Sequence, residues 1–375
     1  MIEQGSILSR NEQVVFALRA LYRQYGYEQY KMSAFDEYDL YAENKSFLVS
    51  QNVITFTGPN GKLMALKPDV TLSIIKNSPD EPGETTKVCY NENVFRTDGG
   101  SHAFKEIVQT GLECIGHIDL YAMSEVVMLA VRSLQAIHPN YILDISHLGF
   151  VQGLLGDAKL EEKQRQEVLR CMNAKNIPDL STLCRQWNLP SETACYLIEL
   201  TRLYAPMGEA LAKLQELNVN DQTASALAEL SGVYRLLEVD GCHDRVYLDF
   251  SLTNDMDYYN GLIFRGFVEG LPSGVLAGGR YDNLVHRLGK QGGAIGFAVY
   301  LDLLERLDAH TREYDVDVLL LYGEDTDWVA LVQTVKMLTG TGQSVKVQRT
   351  NDGRLRYRQL LAMNQRGVEI LETND

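Results

Sequence analysis

The stretch VFRTDGGSHAFKEIVQTGLECIG, residues 94–116, decides the fold predicted for this chain of 375 residues. Its two ends alternate apolar residues with Arg96, Gln109 and Glu113, which is the pattern of strands that line a pocket. The polar, glycine-containing segment between them indicates a loop. In this loop Lys105 is the one lysine or arginine, where a nucleotide-binding protein usually keeps several arginines. The stretch therefore predicts two strands and a loop at a ligand site.

The sequence on either side of these strands combines helical and β patterns. Residues 11–27 have apolar side chains at helical spacing, and Gly26 is placed to end that helix. Short β-like runs lie between 47 and 68, and the GPNG turn at 58–61 predicts a hairpin there. A helix is predicted for 119–137. An antiparallel sheet flanked by helices, and hence an α+β fold, is indicated rather than a wound parallel sheet.

The middle of the chain has a different pattern. Residues from about 150 to 240 are rich in amphipathic helical spacing and poor in β signals, which predicts a helical insertion. Strand patterns return at RVYLDFSL and GLIFRGFV. The segments YDNLVHRLG and GFAVYLDLLERL are predicted to be helical.

The C-terminal part changes character again. From about 314 the sequence predicts a β-α-β unit followed by another helix and strand. We therefore predict one domain over 1–310 and a short α/β tail over 311–375. The arginines of RTNDGRLRYRQLL in this tail are interpreted as a solvated helix face rather than an RNA contact.

The composition argues against several classes of protein. The formal net charge of −15 opposes a large nucleic-acid surface, because phosphates bind clustered Lys and Arg. The six cysteines and seven histidines are dispersed without metal-ligand spacing, so we expect reduced thiols and no metal site. No apolar run approaches the ~18 residues of a membrane span, and the N-terminus lacks a signal-peptide core. We expect a soluble, cytoplasmic protein without membrane contact.

Two short motifs place polar groups for a ligand. In QTGLE, Gln109, Gly111 and Glu113 share one face of a strand, and the glycine leaves room beside its backbone. An ordinary solvent-facing strand edge explains this motif equally well when it is taken alone. In LKPDVT, Asp69 and Thr71 share a side and could hold an ammonium group. A turn-capping role explains them as well.

Aromatic residues and glycines form the other two motifs. Tyr258 and Tyr259 in DMDYYNGLIF and Tyr281 in LAGGRYD offer aromatic faces with polar tips, which suit the enclosure of a planar ring. Gly278 and Gly279 permit close approach of a backbone. Ordinary core or cross-strand packing is the alternative for each tyrosine.

The order and spacing of these motifs resemble the catalytic core of class II aminoacyl-tRNA synthetases, most closely the histidyl-tRNA synthetase group. The resemblance extends to about residue 310 and rests on LKPDVT, VFR…QTGLE, DMDYY, GGRYDNLVHRLG and AIGFAVYLDLLERL. It implies a class II antiparallel sheet and a histidine pocket. By this resemblance the amino-acid ammonium is bound by Asp69, Thr71 and Gln109. The imidazole is enclosed by a second set: Glu113, Tyr258, Tyr259, Gly278 and Tyr281.

The same resemblance shows which ATP-binding residues are replaced. Of the arginines in the family's hairpin loop only the first is kept, as Arg96, and the later basic positions fall on Ala103 and Lys105. The arginine that opens the family's RGLDYY corresponds to Asn254. Arginines suit phosphate because their planar forks bind it and stabilise the transition-state charge.

The third synthetase motif departs from the family as well. Its glycine and arginine correspond to Tyr300 and Leu303. Loss of one charge-stabilising donor typically costs ~100- to 1,000-fold in rate, so several losses predict negligible adenylation. Arg287 or Arg306 could compensate only with a different backbone geometry.

A histidine pocket without an ATP site resembles the family of ATP phosphoribosyltransferase regulatory subunits, a histidyl-tRNA synthetase-like group. That resemblance implies a non-catalytic chain without a cofactor, required by a short catalytic subunit and involved in histidine feedback inhibition of the first step of histidine biosynthesis. It also implies a homodimer within a hetero-octamer, no tRNA binding, and a tail that is a remnant of an anticodon-binding domain. An active histidyl-tRNA synthetase is the alternative.

Overall fold

The stretch at 94–116 contributes to two long paired strands inside a nine-stranded sheet. The computed structural model describes residues 8–44, 48, 53–79, 81, 83–97, 103–156, 158, 160–253, 258–304, 314–364 and 367–374. Two compact units are present, Ser9–Arg306 and a smaller one that includes Leu307–Asp375.

The helices alternate with strands in the first half of the larger unit and then follow one another. They are α1 (Arg10–Gln24), α2 (Tyr38–Glu43), α3 (Thr71–Asn77), α4 (Leu120–Ile137), α5 (Leu148–Gly156), α6 (Glu162–Asn173), α7 (Ile177–Gln186), α8 (Ser191–Arg202), α9 (Met207–Glu216), α10 (Asp221–Asp240), α11 (Asp282–Arg287), α12 (Leu301–Leu304) and α13 (Trp328–Gly340).

The strands form one sheet in the core of the larger unit and two smaller sheets. They are β1 (Glu28–Gln29), β2 (Phe35–Glu37), β3 (Thr55–Thr57), β4 (Leu63–Leu66), β5 (Thr85–Thr97), β6 (Phe104–Gly116), β7 (Tyr141–His147), β8 (Tyr204–Pro206), β9 (Val246–Asp249), β10 (Leu262–Val268), β11 (Leu276–Arg280), β12 (Gly293–Tyr300), β13 (Val316–Tyr322), β14 (Val345–Gln348), β15 (Tyr357–Asn364) and β16 (Gly367–Thr373).

The nine-stranded sheet has the order β1-β5-β6-β12-β11-β10-β7-β9-β8. All neighbours from β5 to β7 are antiparallel, whereas β1 and β9 add parallel pairs at the two sides. The predicted α+β class with an antiparallel sheet is confirmed. The predicted helix GFAVYLDLLERL is wrong in its first part, because GFAVY belongs to β12. Both faces of β12 are largely buried, so its sequence is apolar without the alternation that marks a half-buried strand.

One face of this sheet is covered by α1 and α4. The ring of Phe297 in β12 lies with its centroid 6.0 Å from Tyr22 of α1 and 6.3 Å from Phe264 of β10. Leu134 of α4 lies directly against Gly266, where an added Cβ would come within 2.6 Å of it. By length and hydropathy α4 is able to cross a membrane, which the sequence analysis did not expect of any segment. It is mostly buried inside the protein, as core helices are.

The other face of the sheet carries the smaller three-stranded sheet, ordered β2-β4-β3, together with α2, α3 and α11. Ile74 and Ile75 of α3 and Leu284 and Val285 of α11 are fully buried in one apolar cluster with Tyr281. This cluster fixes α3 and α11 against β5 and β6. The segments that carry Thr71 and Tyr281 are therefore held at the sheet.

Helices α5 to α10 follow β7 with one short strand, β8, between them. The longest, α10, begins at an Asn220 cap and ends at Gly241, whose φ of +73° favours glycine. The strand β8 pairs with β9 at the edge of the large sheet, which the sequence did not predict.

The smaller unit has a four-stranded sheet ordered β14-β13-β15-β16, with β13 parallel to β14 and β15. Helix α13 packs on it through an apolar cluster that includes Val318, Leu320 and Leu331. The segment YRQLL, predicted to be helical, belongs to strand β15 instead. Its partner β13 supplies a hydrogen-bonding edge that no local pattern reveals.

Candidate functional site

Glu113 is the centre of a buried polar cluster on the face of the sheet opposite α1 and α4. Thr71 Oγ1 donates a hydrogen bond to Glu113 Oε1 at 2.8 Å, and the Tyr281 hydroxyl donates to Oε2. The carboxyl lies directly over Gly296 of β12, because a Cβ added there would come within 1.7 Å of Oε2. The predicted residues Thr71, Glu113 and Tyr281 are thus brought together around one carboxyl.

Burial sets the protonation of this carboxyl. Glu113 is 2% exposed, and desolvation raises its pKa to about 8, although the hydrogen bonds from Tyr281 and Thr71 oppose the rise. The nearby Asp69 contributes a further rise. At pH 7 the unliganded group is mostly neutral, and a bound cation or N–H donor would favour its ionised form.

Asp69 lies at the start of α3, next to this cluster. Its Oδ1 accepts a hydrogen bond from the Leu72 amide at 3.0 Å, so the capping role allowed by the sequence is present. Burial raises the pKa of Asp69, and the hydrogen bond and the charge of Arg96 oppose that rise. Arg96 Nε donates to the Pro68 carbonyl at 3.1 Å, which holds its side chain beside this segment.

Three tyrosines surround the space next to Glu113. The ring centroids of Tyr258 and Tyr259 are 4.6 Å apart, and those of Tyr258 and Tyr281 are 5.4 Å apart. Desolvation raises the pKa of Tyr258 and of Tyr281, so both hydroxyls stay protonated. Tilted and edge-to-face aromatic rings of this kind can enclose a planar ligand ring.

The strand register places the floor of the site in two rows of residues that cross the sheet. The first row runs from Glu113 through Gly296 and Gly279 to Ile263. The second row comprises Tyr90, Gly111, Ala298, Ala277 and Arg265. Because paired residues of antiparallel strands point to the same face, both rows line the side of Glu113.

Gly278 does not lie on this floor, which corrects its predicted place in the pocket. It pairs with Phe297 and faces the helices, and a Cβ added to it would meet Phe297 and Phe264 within 2.8 Å. Gly279 is the glycine on the side of Glu113, and an added Cβ there would meet the Tyr259 ring at 2.7 Å. Alternation along β11 separates the two neighbours by one face of the sheet.

Tyr90 is a site residue that the sequence analysis missed. It is buried, and its hydroxyl would come within 2.7 Å of a Cβ added to Gly111. Glu113 and Asp69 are close enough to help raise the pKa of its hydroxyl, after the larger effect of burial. The alternation of CYNENVFR places Tyr90 on the face of Arg96, which is the signal that could have found it.

The end of the site towards the hairpin loop holds the remaining predicted residues. Gln109 is 4% exposed and lies between Glu92 of β5 and Tyr300 of β12 in the register. Tyr300 therefore stands beside Gln109 where a glycine would leave open space. Arg96 and Lys105 pair directly across β5 and β6.

The other positions of the expected ATP site give no substitute arginine within the described residues. Leu303 is in α12. Arg287 donates from Nη2 to the Glu43 carbonyl at 2.7 Å. Asn254 and Arg306 lie outside the described residues. Within the described ranges no group of three His, Cys, Asp or Glu residues could hold a metal ion.

A family model described as histidyl-tRNA synthetase matches residues 6–304. The chain belongs to the histidyl-tRNA synthetase family. Its membership agrees with the sheet order, the Glu113 cluster and the tyrosines described above. The predicted resemblance to this family is confirmed.

Curated relatives of this family member carry the name ATP phosphoribosyltransferase regulatory subunit. The one from Clostridium kluyveri is 27% identical over 323 residues, which cover 83% of this chain and 82% of the relative. The one from Clostridium acetobutylicum is 26% identical over 357 residues, covering 92% and 87%. The predicted resemblance to this group within the family is confirmed as well.

Solved structures share the fold. An ATP phosphoribosyltransferase regulatory subunit/histidyl-tRNA synthetase from Bacillus halodurans has a TM-score of 0.78 at 23% identity, covering 94% of this chain and 93% of that one. A chain in the ATP phosphoribosyl transferase complex from Thermotoga maritima has a TM-score of 0.60 at 19% identity, covering 76% and 96%.

Proposed function

We propose that this member of the histidyl-tRNA synthetase family is the regulatory subunit of an ATP phosphoribosyltransferase, acts with a separate short catalytic subunit and senses histidine. The observation that carries the proposal is the buried Glu113 carboxyl, held by Thr71 and Tyr281, in a chain whose ATP-binding arginines are replaced. The names of the curated relatives support the same role.

The cluster suits the side chain of histidine. Once ionised, Glu113 accepts a hydrogen bond from an imidazole N–H, and the surrounding tyrosines Tyr258, Tyr259 and Tyr281 enclose the ring. The floor beneath that ring is Gly296 and Gly279, whose missing side chains leave room for it. Tyr90 lies over Gly111 and closes the pocket on the side of β5.

The amino-acid end of the ligand fits the opposite side of the cluster. Asp69 supplies a carboxylate for the ammonium, and Thr71 and Gln109 supply neutral polar groups beside it. Each of these residues is buried, so a charge placed there is shielded from water. Electrostatic interactions are stronger in such surroundings than at a surface.

We further propose that the chain does not adenylate histidine. Three positions that carry ATP-binding groups in synthetases are here Asn254, Tyr300 and Leu303. Tyr300 stands beside Gln109 in the register, where its side chain narrows the approach that a nucleotide needs. Each lost charge-stabilising donor raises the barrier by roughly 3–4 kcal/mol. Arg96 is a remnant of the nucleotide site in this proposal.

The rest of the proposal concerns assembly and organisation. It comprises a cytoplasmic homodimer within a hetero-octamer, without cofactor, tRNA or membrane contact, and two domains over 1–310 and 311–375. The insertion is the helical region of about 150–240, and the tail is a shortened relative of an anticodon-binding domain. Histidine acts by binding one arrangement of the complex more tightly than the other, because only differential affinity shifts an equilibrium.

Reconstitution with a short catalytic subunit from the same organism tests this proposal. We expect phosphoribosyl transfer to ATP to require this chain. Equal activity of the catalytic subunit alone would contradict the regulatory role. Histidine-dependent exchange of pyrophosphate into ATP tests the alternative, a histidyl-tRNA synthetase. We expect no exchange, and a robust exchange rate would establish that alternative.

A further inference from the structure

The floor of the candidate pocket continues beyond Glu113 and ends at an arginine. In the second cross-sheet row, Gly111, Ala298 and Ala277 are followed by Arg265 of β10. The three small residues leave an open strip between the Tyr90 side and Arg265. Arg265 is half-buried and faces the side of Glu113, because it pairs with Ala277 across β10 and β11.

Arg265 is not held by the acid next to it. Its partner in the register on β7 is Asp144, yet in the described residues no ion pair or hydrogen bond joins the two side chains. Asp144 Oδ1 is buried and has no hydrogen-bond partner within the same residues. The stem of Arg265 lies instead against Gly274, where an added Cβ would meet Cγ at 2.7 Å. Gly274 precedes β11, so the side chain leans towards the strip.

The distance across the strip matches one amino acid. Neighbouring strands are about 4.8 Å apart, and residues two apart along a strand are about 6.8 Å apart. Gly296, which lies under the Glu113 carboxyl, is two strands and two residues from Arg265, or about 12 Å. An extended arginine covers a large part of that distance. The remainder is of the order of one small ligand with a hydrogen bond of about 2.9 Å at each end.

We propose that Arg265 binds the carboxylate of the histidine whose imidazole is bound at Glu113. This inference rests on the proposed function and deepens it, because it identifies the ligand as one held by both its ring and its anionic end. The position at which synthetases place an arginine for that carboxylate is Asn254 in this chain, so a cation from another element is needed. Guanidinium is the side chain best suited to a carboxylate, since it can donate two parallel hydrogen bonds.

Arg96 is the competing cation on the same face. It lies at the hairpin-loop end of β5, opposite Lys105, and its Nε is already bonded to the Pro68 carbonyl beside Asp69. Arg96 therefore stands next to the groups proposed for the ammonium. Arg265 lies on the far side of the small-residue strip, where the carboxylate of the same ligand can be separated from Asp69.

Calorimetric titration with two ligands tests this inference. Histamine keeps the imidazole and the ammonium of histidine but lacks the carboxylate. For Arg265→Gln we expect histidine binding to weaken by about 10- to 100-fold, as for a hydrogen bond to a charged group, and histamine binding to change less than about twofold. For Arg96→Gln, the matched variant, we expect the loss for histidine and histamine to be similar.

The outcomes separate this inference from the proposed function. If the wild-type chain binds neither ligand, the histidine-sensing proposal fails and this inference fails with it. If wild type binds histidine but Arg265→Gln weakens both ligands equally, or neither, Arg265 does not bind the carboxylate. Unchanged histamine binding in Arg265→Gln also shows that the variant is folded. Arg265→Lys should recover part of the histidine affinity.

Discussion

Replacement of Glu113 by glutamine should stabilise the unliganded protein and weaken histidine binding at the same time. The change keeps the shape of the side chain and an oxygen that can accept from Tyr281 or Thr71. It removes a carboxyl whose pKa is raised by burial from 4.5 to about 8. That difference corresponds to roughly 5 kcal/mol between the protonated and ionised forms.

The sign of the effect follows from proton binding. Because the pKa of Glu113 is higher in the folded chain than in the unfolded chain, its contribution to stability is present below pH 4.5 and is lost as pH rises to about 8. Relative to wild type, the Glu113→Gln variant should therefore gain about 3 kcal/mol in unfolding free energy between pH 5.5 and pH 9.

Urea unfolding at pH 5.5, 7 and 9 measures this gain, with the fold's intactness checked by circular dichroism. A stability difference between variant and wild type that stays constant over this range would refute the reasoning about the buried carboxyl. Calorimetry on the same samples should show histidine affinity reduced by at least tenfold, since a hydrogen bond to a charged group is worth about 1.5–3 kcal/mol.

Three further predictions follow from the same structure. Gly296→Ala should destabilise the protein by roughly 1–3 kcal/mol and abolish histidine binding, because the new Cβ would lie 1.7 Å from Glu113 Oε2; Gly156→Ala, whose Cβ would meet nothing within 4 Å, is the control, and equal melting temperatures for the two variants would contradict this prediction. Lys67→Met should cost roughly 3–5 kcal/mol in urea unfolding, because Lys67 and Glu92 form an ion pair with side chains 3% and 14% exposed and Glu92 would lose its partner; a loss below about 1 kcal/mol would show that Glu92 is solvated. Histidine binding by wild type should strengthen about tenfold between pH 7 and pH 8.5, because Glu113 must ionise to accept the imidazole N–H and its pKa is about 8; calorimetry in buffers of different ionisation heat measures this, and the dependence should be absent in Glu113→Gln.

The polar half of the site could be predicted because it depends on alternation within single strands. Gln109 and Glu113 lie two and four residues apart on one strand with Gly111 between them, so their common face is visible in the sequence. Asp69, Thr71 and Tyr281 were connected to them through the family resemblance. The structure brings Thr71 and Tyr281 to the same carboxyl.

The remaining features depend on strand register, which no local pattern reveals. Choosing between Gly278 and Gly279 requires knowing which of them pairs with Gly296. Tyr90 belongs to the site only because it pairs with Gly111 across the hairpin. Arg265 reaches the same face through three successive strand pairings. The strand character of GFAVY was hidden because both of its faces are largely buried.

Histidine inhibition of the reconstituted ATP phosphoribosyltransferase, compared between wild-type chain and Glu113→Gln, tests the central claim most directly. We predict that both chains support phosphoribosyl transfer by the short catalytic subunit and that histidine inhibits only the wild-type complex at low concentration. Equal inhibition of the two complexes would show that histidine acts elsewhere, and the pocket around Glu113 would then not be the sensor.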